Sequence, residues 1–158
     1  MTARRVAAIA LLALLAAGCS GSAGRTVTVT HGPVTLAYVD LGDTGPSVGD
    51  ERITEIPTQV DGKAGRLDGI LTTTAVNSPE TGSEIRLSQL VFTFGNEADQ
   101  VFVSGTSVYP AASATIQVDS STIRPVIGGS GVYAGVTGWC ESFHLADGTW
   151  RHVLHLTP

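Results

Sequence analysis

Val132-Tyr133-Ala134-Gly135-Val136-Thr137-Gly138-Trp139-Cys140-Glu141-Ser142-Phe143-His144-Leu145 is rich in β-favouring residues and too long for a flat strand. Fully extended, it would reach about 45 Å at about 3.3 Å per residue. A segment of that length bends, and Gly135 and Gly138 are where it can do so. Long coiled strands with glycine kinks favour closure, because flat sheets do not curl into barrels. Downstream, Asp147-Gly148 turns the chain into a partner strand, Thr149 to Leu156. Upstream the period is again two, with no stretch at 3.6. Thr26-Val27-Thr28-Val29-Thr30 alternates strictly, and Val34 to Leu41 continues in strand-formers. Arg52 to Val60 and Gly65 to Thr74 flank Asp61-Gly62, a strong two-residue hairpin signal. Ile85 to Phe94 and Gln100 to Tyr109 flank Gly95-Asn96, and shorter runs cover Ala114 to Val118 and Thr122 to Ile127. Eight or nine short strands without helices imply a sandwich or a closed antiparallel barrel. The long glycine-kinked segment favours the barrel.

The chain begins with a different kind of segment. Arg4 and Arg5 precede an apolar run, Val6 to Ala17, which is shorter than the ~20 residues a spanning helix needs. Leu15-Ala16-Ala17-Gly18-Cys19 then resembles the lipobox of bacterial lipoproteins. The resemblance implies cleavage before Cys19 and a diacylglycerol on its thiol; the alternative is an ordinary secretory signal whose cysteine falls at the cut. Residues 1–18 are accordingly expected to be a signal peptide, 19–25 a lipidated flexible tether and 26–158 one β-barrel domain. The protein is expected to be exported and held on the outer face of a bacterial membrane through Cys19.

With Cys19 lipidated, Cys140 is the single remaining thiol, so no intrachain disulfide is expected. It reads as a small apolar strand residue. Beyond residue 18 the chain carries 14 acidic and 7 basic residues, a formal balance near −7. Nucleic-acid binding needs clustered Lys and Arg, and there is no such cluster. The same acidity disfavours attraction to anionic lipid, leaving the acyl anchor as the means of membrane attachment.

Gly128-Gly129-Ser130-Gly131-Val132-Tyr133-Ala134-Gly135 invites nucleotide or catalytic readings that its context excludes. No helix follows for a dinucleotide fingerprint, no lysine for a phosphate loop, and Val132 stands where a nucleophile elbow needs glycine. Gly128, Gly129, Gly131, Gly135 and Gly138 are expected to be structural, supplying positive φ and close backbone approach. The segment to Gly138 resembles the Gly-Gly-Thr/Ser-Gly-x-Tyr/Phe-x-Gly/Ala-x-x-Gly pattern of the allene oxide cyclase barrel-like proteins and the related dirigent proteins. Gly45-Pro46-Ser47-Val48-Gly49-Asp50 resembles their Gly-Asp segment, Gly62 to Leu71 their Asp-Gly-x-x-x-Gly hairpin, and Asp147 to His152 the closing hairpin of actinobacterial members. The likeness covers most of residues 34–156. It implies an allene oxide cyclase-like, calycin-like barrel of eight antiparallel strands, with an apolar cavity for a small molecule. It also implies a homo-oligomer, trimer or dimer. The family's catalytic residues do not map onto this chain, because the matching motifs are turn and packing elements.

Alternation narrows the candidate site. Tyr133, Trp139 and Glu141 share one parity; Cys140 and His144 share the other, and the glycine bends can shift it. If the first set lines the cavity, it offers aromatic walls and a carboxylate whose pKa burial would raise. The alternative is that Tyr133 and Trp139 pack beneath a barrel end with Glu141 in solvent. His144, His152 and His155 do not stand at i, i+2, and His152 and His155 face opposite ways, so no metal is expected; no cofactor is implied. Glu51, Arg52 and Glu55 read as solvated edge charges.

Three functions follow: a membrane-tethered barrel that binds a small hydrophobic molecule, an isomerase or cyclase that shapes a flexible hydrophobic substrate, and a structural cell-envelope protein with a filled barrel. The cavity lining discriminates among them. A buried Glu, Asp or Arg beside aromatics is expected of a catalyst, an apolar lining of a carrier, and no cavity of a structural protein.

Overall fold

In the computed structural model, residues 24–78, 83–110 and 115–158 are described. They form an all-β unit of strands β1 (Arg25–His31), β2 (Ala37–Val39), β3 (Glu51–Val60), β4 (Lys63–Ser78), β5 (Ser83–Phe94), β6 (Gln100–Tyr109), β7 (Ser120–Gly129), β8 (Thr137–His144) and β9 (Trp150–Thr157). The order is β1-β9-β8-β7-β6-β5-β4-β3-β2, and β1 also pairs with β3 through Val29–Val60 and Thr30–Gln59. That last pairing joins first and last staves, so eight antiparallel strands close a barrel and β2 is a short ninth strand on β3. The expected signal peptide, Cys19 and nearly all of the expected tether lie outside the described residues.

Local chemistry explains the turns. Asp61 and Gly62 take φ of 48° and 76°, the two positive values that a type I′ hairpin demands, and β3 and β4 pair from that turn without a slip. Asp50, expected within a Gly-Asp segment, is wholly buried and anchors the preceding loop. Its carboxylate accepts from the Tyr38 hydroxyl at 2.6 Å, from the Leu41 and Ser47 amides at 3.0 and 2.7 Å, and from the Ser47 hydroxyl. Those donors hold it well below the usual carboxylate range, and the same bond pushes Tyr38 up to about 12.

Three expectations about strands are corrected. Val34 to Leu41 gives only Ala37–Val39, and residues 115–118 are not strand. Residues 132–145 are not one strand either. Gly131–Tyr133 is a single 3₁₀ turn, and β8 starts at Thr137. Gly131 sits at φ 58°, where a Cβ would collide with Asp99 and the Ala98 carbonyl. Gly138, at φ 131°, lies so close to the His155 carbonyl that no other residue fits. Gly128 and Gly135 also take positive φ, and Gly129 packs under the Tyr133 backbone.

Inside, the barrel has two layers. Val27, Val29, Ile56, Val60, Leu67, Leu90, Phe92, Val101, Val103, Val126, Leu154 and Leu156 form an apolar half. Tyr133 joins it, with Phe94 against its ring at 4.7 Å. Toward the other end, the inward positions on the same strands turn polar: Arg52 and Thr54 on β3, Thr73 on β4, Glu84, Arg86 and Ser88 on β5, Tyr109 on β6, Arg124 on β7, Ser142 on β8 and His152 on β9. Arg52 is therefore interior, not a solvated edge charge. Alternation carries it to the same face as Ile56, whereas Glu55 is exposed as expected.

Candidate functional site

Where the two layers meet there is a cavity of about 70 Å³, within a recess whose empty space, counted out to solvent, is about 510 Å³. Ile56, Leu67 and Leu90 give it apolar wall; Ser88, Arg124, Ser142, His31 and His152 give it polar wall, beside Trp150 and Tyr109.

The polar wall is built from two hydrogen-bonded systems. In the first, Glu84 Oε2 accepts from Arg52 at 3.1 Å and from Arg86 at 2.7 and 2.9 Å. Arg52 also donates to Thr73 at 2.9 Å. The Arg86 guanidinium lies 4.3 Å from the Tyr109 ring centroid, a cation–π contact out of water. Tyr109 oxygen accepts from Arg124 Nη2 at 2.8 Å, and Arg124 Nη1 donates to Thr122 at 2.7 Å.

The second system has a direction that its end fixes. His31 Nδ1 is 2.6 Å from the Gly32 carbonyl, so that nitrogen carries a proton and donates. Neutral His31 then has a bare Nε2, which accepts from His152 Nε2–H at 2.9 Å. His152 Nδ1 in turn accepts from the Ser142 hydroxyl at 2.8 Å, and Ser142 oxygen faces the Cys140 thiol at 3.7 Å. Burial pushes His152 down to about 3, with His31 and Arg124 acting the same way, and lowers His31 as well. A serine beside a histidine suggests a nucleophile and its base. A base that weak, however, takes a hydroxyl proton poorly near neutral pH. The chain is a neutral, oriented relay. Cys140 is buried and its thiol pushed up to about 11 by desolvation, which makes it unreactive.

The residues proposed from parity are not brought together here. Tyr133 is buried in the apolar half; Trp139 is 46% exposed on the outer face, stacked 4.5 Å from His155; Glu141 shares that outer face of β8. None of the three lines the cavity. The bends at Gly135 and Gly138 give Tyr133 and Trp139 opposite sides despite equal parity. Reading along β5 or β7 instead would have found the polar wall, since Ser88 shares the parity of Leu90 and Phe92, and Arg124 that of Val126. Among the described residues no group of three His, Cys, Asp or Glu side chains is placed to hold a metal ion.

No protein-family model matches the chain, and no curated protein does. Solved structures do. The chain is similar to pyocyanin demethylase, at 24% identity and a TM-score of 0.61, over 85% of this chain and all of that one. It is similar to a nonspecific heme-binding cyclase that catalyses a cycloaddition in neoabyssomicin biosynthesis, at 16% identity and a TM-score of 0.61, over 89% of this chain and 66% of that one. A pterocarpan synthase dirigent protein matches at 14% identity and a TM-score of 0.56, over 85% and 87%. At these identities the likeness is one of fold. The barrel shares its fold with these proteins.

Proposed function

We propose that this protein is an exported lipoprotein, tethered to a membrane through Cys19, whose barrel binds a small hydrophobic molecule. The observation that carries the binding reading is the recess at the junction of the two layers, with Ile56, Leu67 and Leu90 on one side and buried hydrogen-bonding groups on the other. An apolar concavity with a few placed polar groups is the usual form of a small-molecule site. Support also comes from the solved neighbours, whose names include a demethylase, a heme-binding cyclase and a dirigent protein. Native mass spectrometry of the protein purified from its host tests the reading: a stoichiometric hydrophobic ligand is expected, and repeated empty preparations would defeat it. Cys19→Ala should release the protein from membranes, and continued attachment would end the lipoprotein assignment. The dimer or trimer that the resemblance implies is tested by the mass of the purified protein in solution.

A second reading, an isomerase or cyclase, is favoured by one specific arrangement. The lining holds a buried arginine beside aromatics, the combination expected of a catalyst. Tyr109 oxygen already accepts from Arg124, which leaves the phenol proton free to be donated to an oxygen of a substrate held in the cavity. A tyrosine so placed can polarise that oxygen without a cofactor. Tyr109→Phe, compared with the parent for turnover and for binding, separates the readings: a catalyst loses turnover while binding stays, and a binder has no turnover to lose.

A further inference from the structure

Arg124 is a cation out of water without an anion. Its side chain is buried at 4% exposure, both terminal nitrogens donate to neutral hydroxyls, and among the described residues no carboxylate pairs with it. Its Nε has no partner at all. Ser88, wholly buried, likewise has an unpartnered Oγ. Both residues line the same cavity. Buried polar groups are as a rule satisfied, and a buried charge without compensation is costly. Two such groups, on residues that line one cavity, therefore bear on what belongs in it.

The strands bring them together across a gap. Ser88 pairs with Gly105 on β6, and a Cβ at Gly105 would touch Arg124 Cβ and Cγ at 3.5 Å and Pro125 Cδ at 3.1 Å. Glycine at 105 thus leaves the row open between Ser88 and Arg124. On the apolar side stand Leu90, Ile56 and Leu67.

We propose that the cavity receives the carboxylate of a small amphipathic acid, with Arg124 Nε and Ser88 Oγ donating to its oxygens and its apolar portion lying against Ile56, Leu67 and Leu90. This rests on the small-molecule reading above and narrows its ligand class. The cavity holds only a head group: about 70 Å³ is half of the ~150 Å³ that takes benzene in an engineered core. The remainder of the ligand occupies the wider recess. A guanidinium beside a hydroxyl donor matches the two oxygens of a carboxylate, so the site recognises the ionised acid.

The test compares hexanoate, hexanamide and hexanol at pH 7 by displacement of a hydrophobic fluorescent probe from the full mature chain. Hexanoate is expected to bind about tenfold or more tightly than hexanamide, as a charge-assisted contact would give. Arg124→Met should bring acid and amide to within about twofold of each other, with the alcohol unchanged. Should Arg124→Met fail to fold, Ser88→Ala, which removes one donor and little volume, is expected to weaken the acid alone. Equal binding of acid and amide to the parent, or an acid preference that survives Arg124→Met, overturns the inference while leaving the cavity as a binding site. Failure of the fluorescent probe and of all three compounds to bind overturns both.

Discussion

The two halves of the barrel interior are built by the same strands and obey opposite rules. At the Val60–Phe92–Leu156 end, side chains fill the space with hydrocarbon, and Tyr133 packs against it. At the Arg52–Glu84–Tyr109 end, guanidiniums, a carboxylate, hydroxyls and imidazoles occupy the equivalent inward positions. The apolar half gains stability from every buried methylene, at about 25 cal/mol per Å². The polar half gains little of that and depends on mutual satisfaction, since each group left alone is a penalty. The cavity lies at the border of the half that is not optimised for stability, and Arg124 and Ser88, whose Nε and Oγ lack partners, are among the residues that line it.

Breaking each half separately should expose the difference. The largest effect is expected from Glu84→Ala, which removes the carboxylate that Arg52 and Arg86 share. Breaking a buried ion pair costs roughly 3–5 kcal/mol, to be read as a fall in the urea midpoint, with probe binding altered as the network rearranges. Leu154→Ala in the apolar half is expected to cost about 2–5 kcal/mol. Leu154 does not line the cavity, so ligand affinity in the folded protein should hold. If Leu154→Ala abolished binding while Glu84→Ala left it intact, the assignment of roles to the two halves would be reversed.

A smaller and more selective effect is expected from pH. His152 is held near 3 when folded, against about 6.5 in an unfolded chain. Between those values the unfolded state binds a proton that the folded state refuses, so stability falls as pH falls from about 6.5 toward 3. His31 contributes in the same direction. Above about 6.5 neither state is protonated and the contribution is flat. Urea titrations of His152→Gln should show a shallower acid slope than the parent; an unchanged slope would mean that His152 titrates normally in the fold. Cys140 provides the mildest probe. Its thiol should resist a disulfide reagent in native buffer and react fully in denaturant, because burial holds it protonated.

Much of the fold was legible because it rests on local chemistry. Asp61-Gly62 can be read as a type I′ turn from two residues, and the hairpin it nucleates follows. Asp147-Gly148 also marks a hairpin, through a different turn: Gly148, at φ 81°, donates to the Leu145 carbonyl, and Asp147 keeps a negative φ. The candidate site was not legible in the same way. Parity groups Tyr133, Trp139 and Glu141 only across a stretch whose glycines interrupt the alternation, and the 3₁₀ turn puts Tyr133 in the apolar half instead. In the sequence Arg52 reads as an edge charge, because a charged residue near a strand end is ordinarily solvated, yet its face of β3 is the inner one. Arg86 and Arg124 carried the available signal, an arginine in phase with core residues.

The sequence by itself determined the succession of strands, the turns between most of them and the likeness to a closing barrel, since period-two alternation and glycine geometry act over a few residues. Only the tertiary structure decided which parity points inward, that β1 closes on β3, and that Ser88, Arg124 and His152 share one space. The physical reason is that an inward face is chosen by the burial summed over all eight staves, and a polar interior position looks locally the same as a polar surface one.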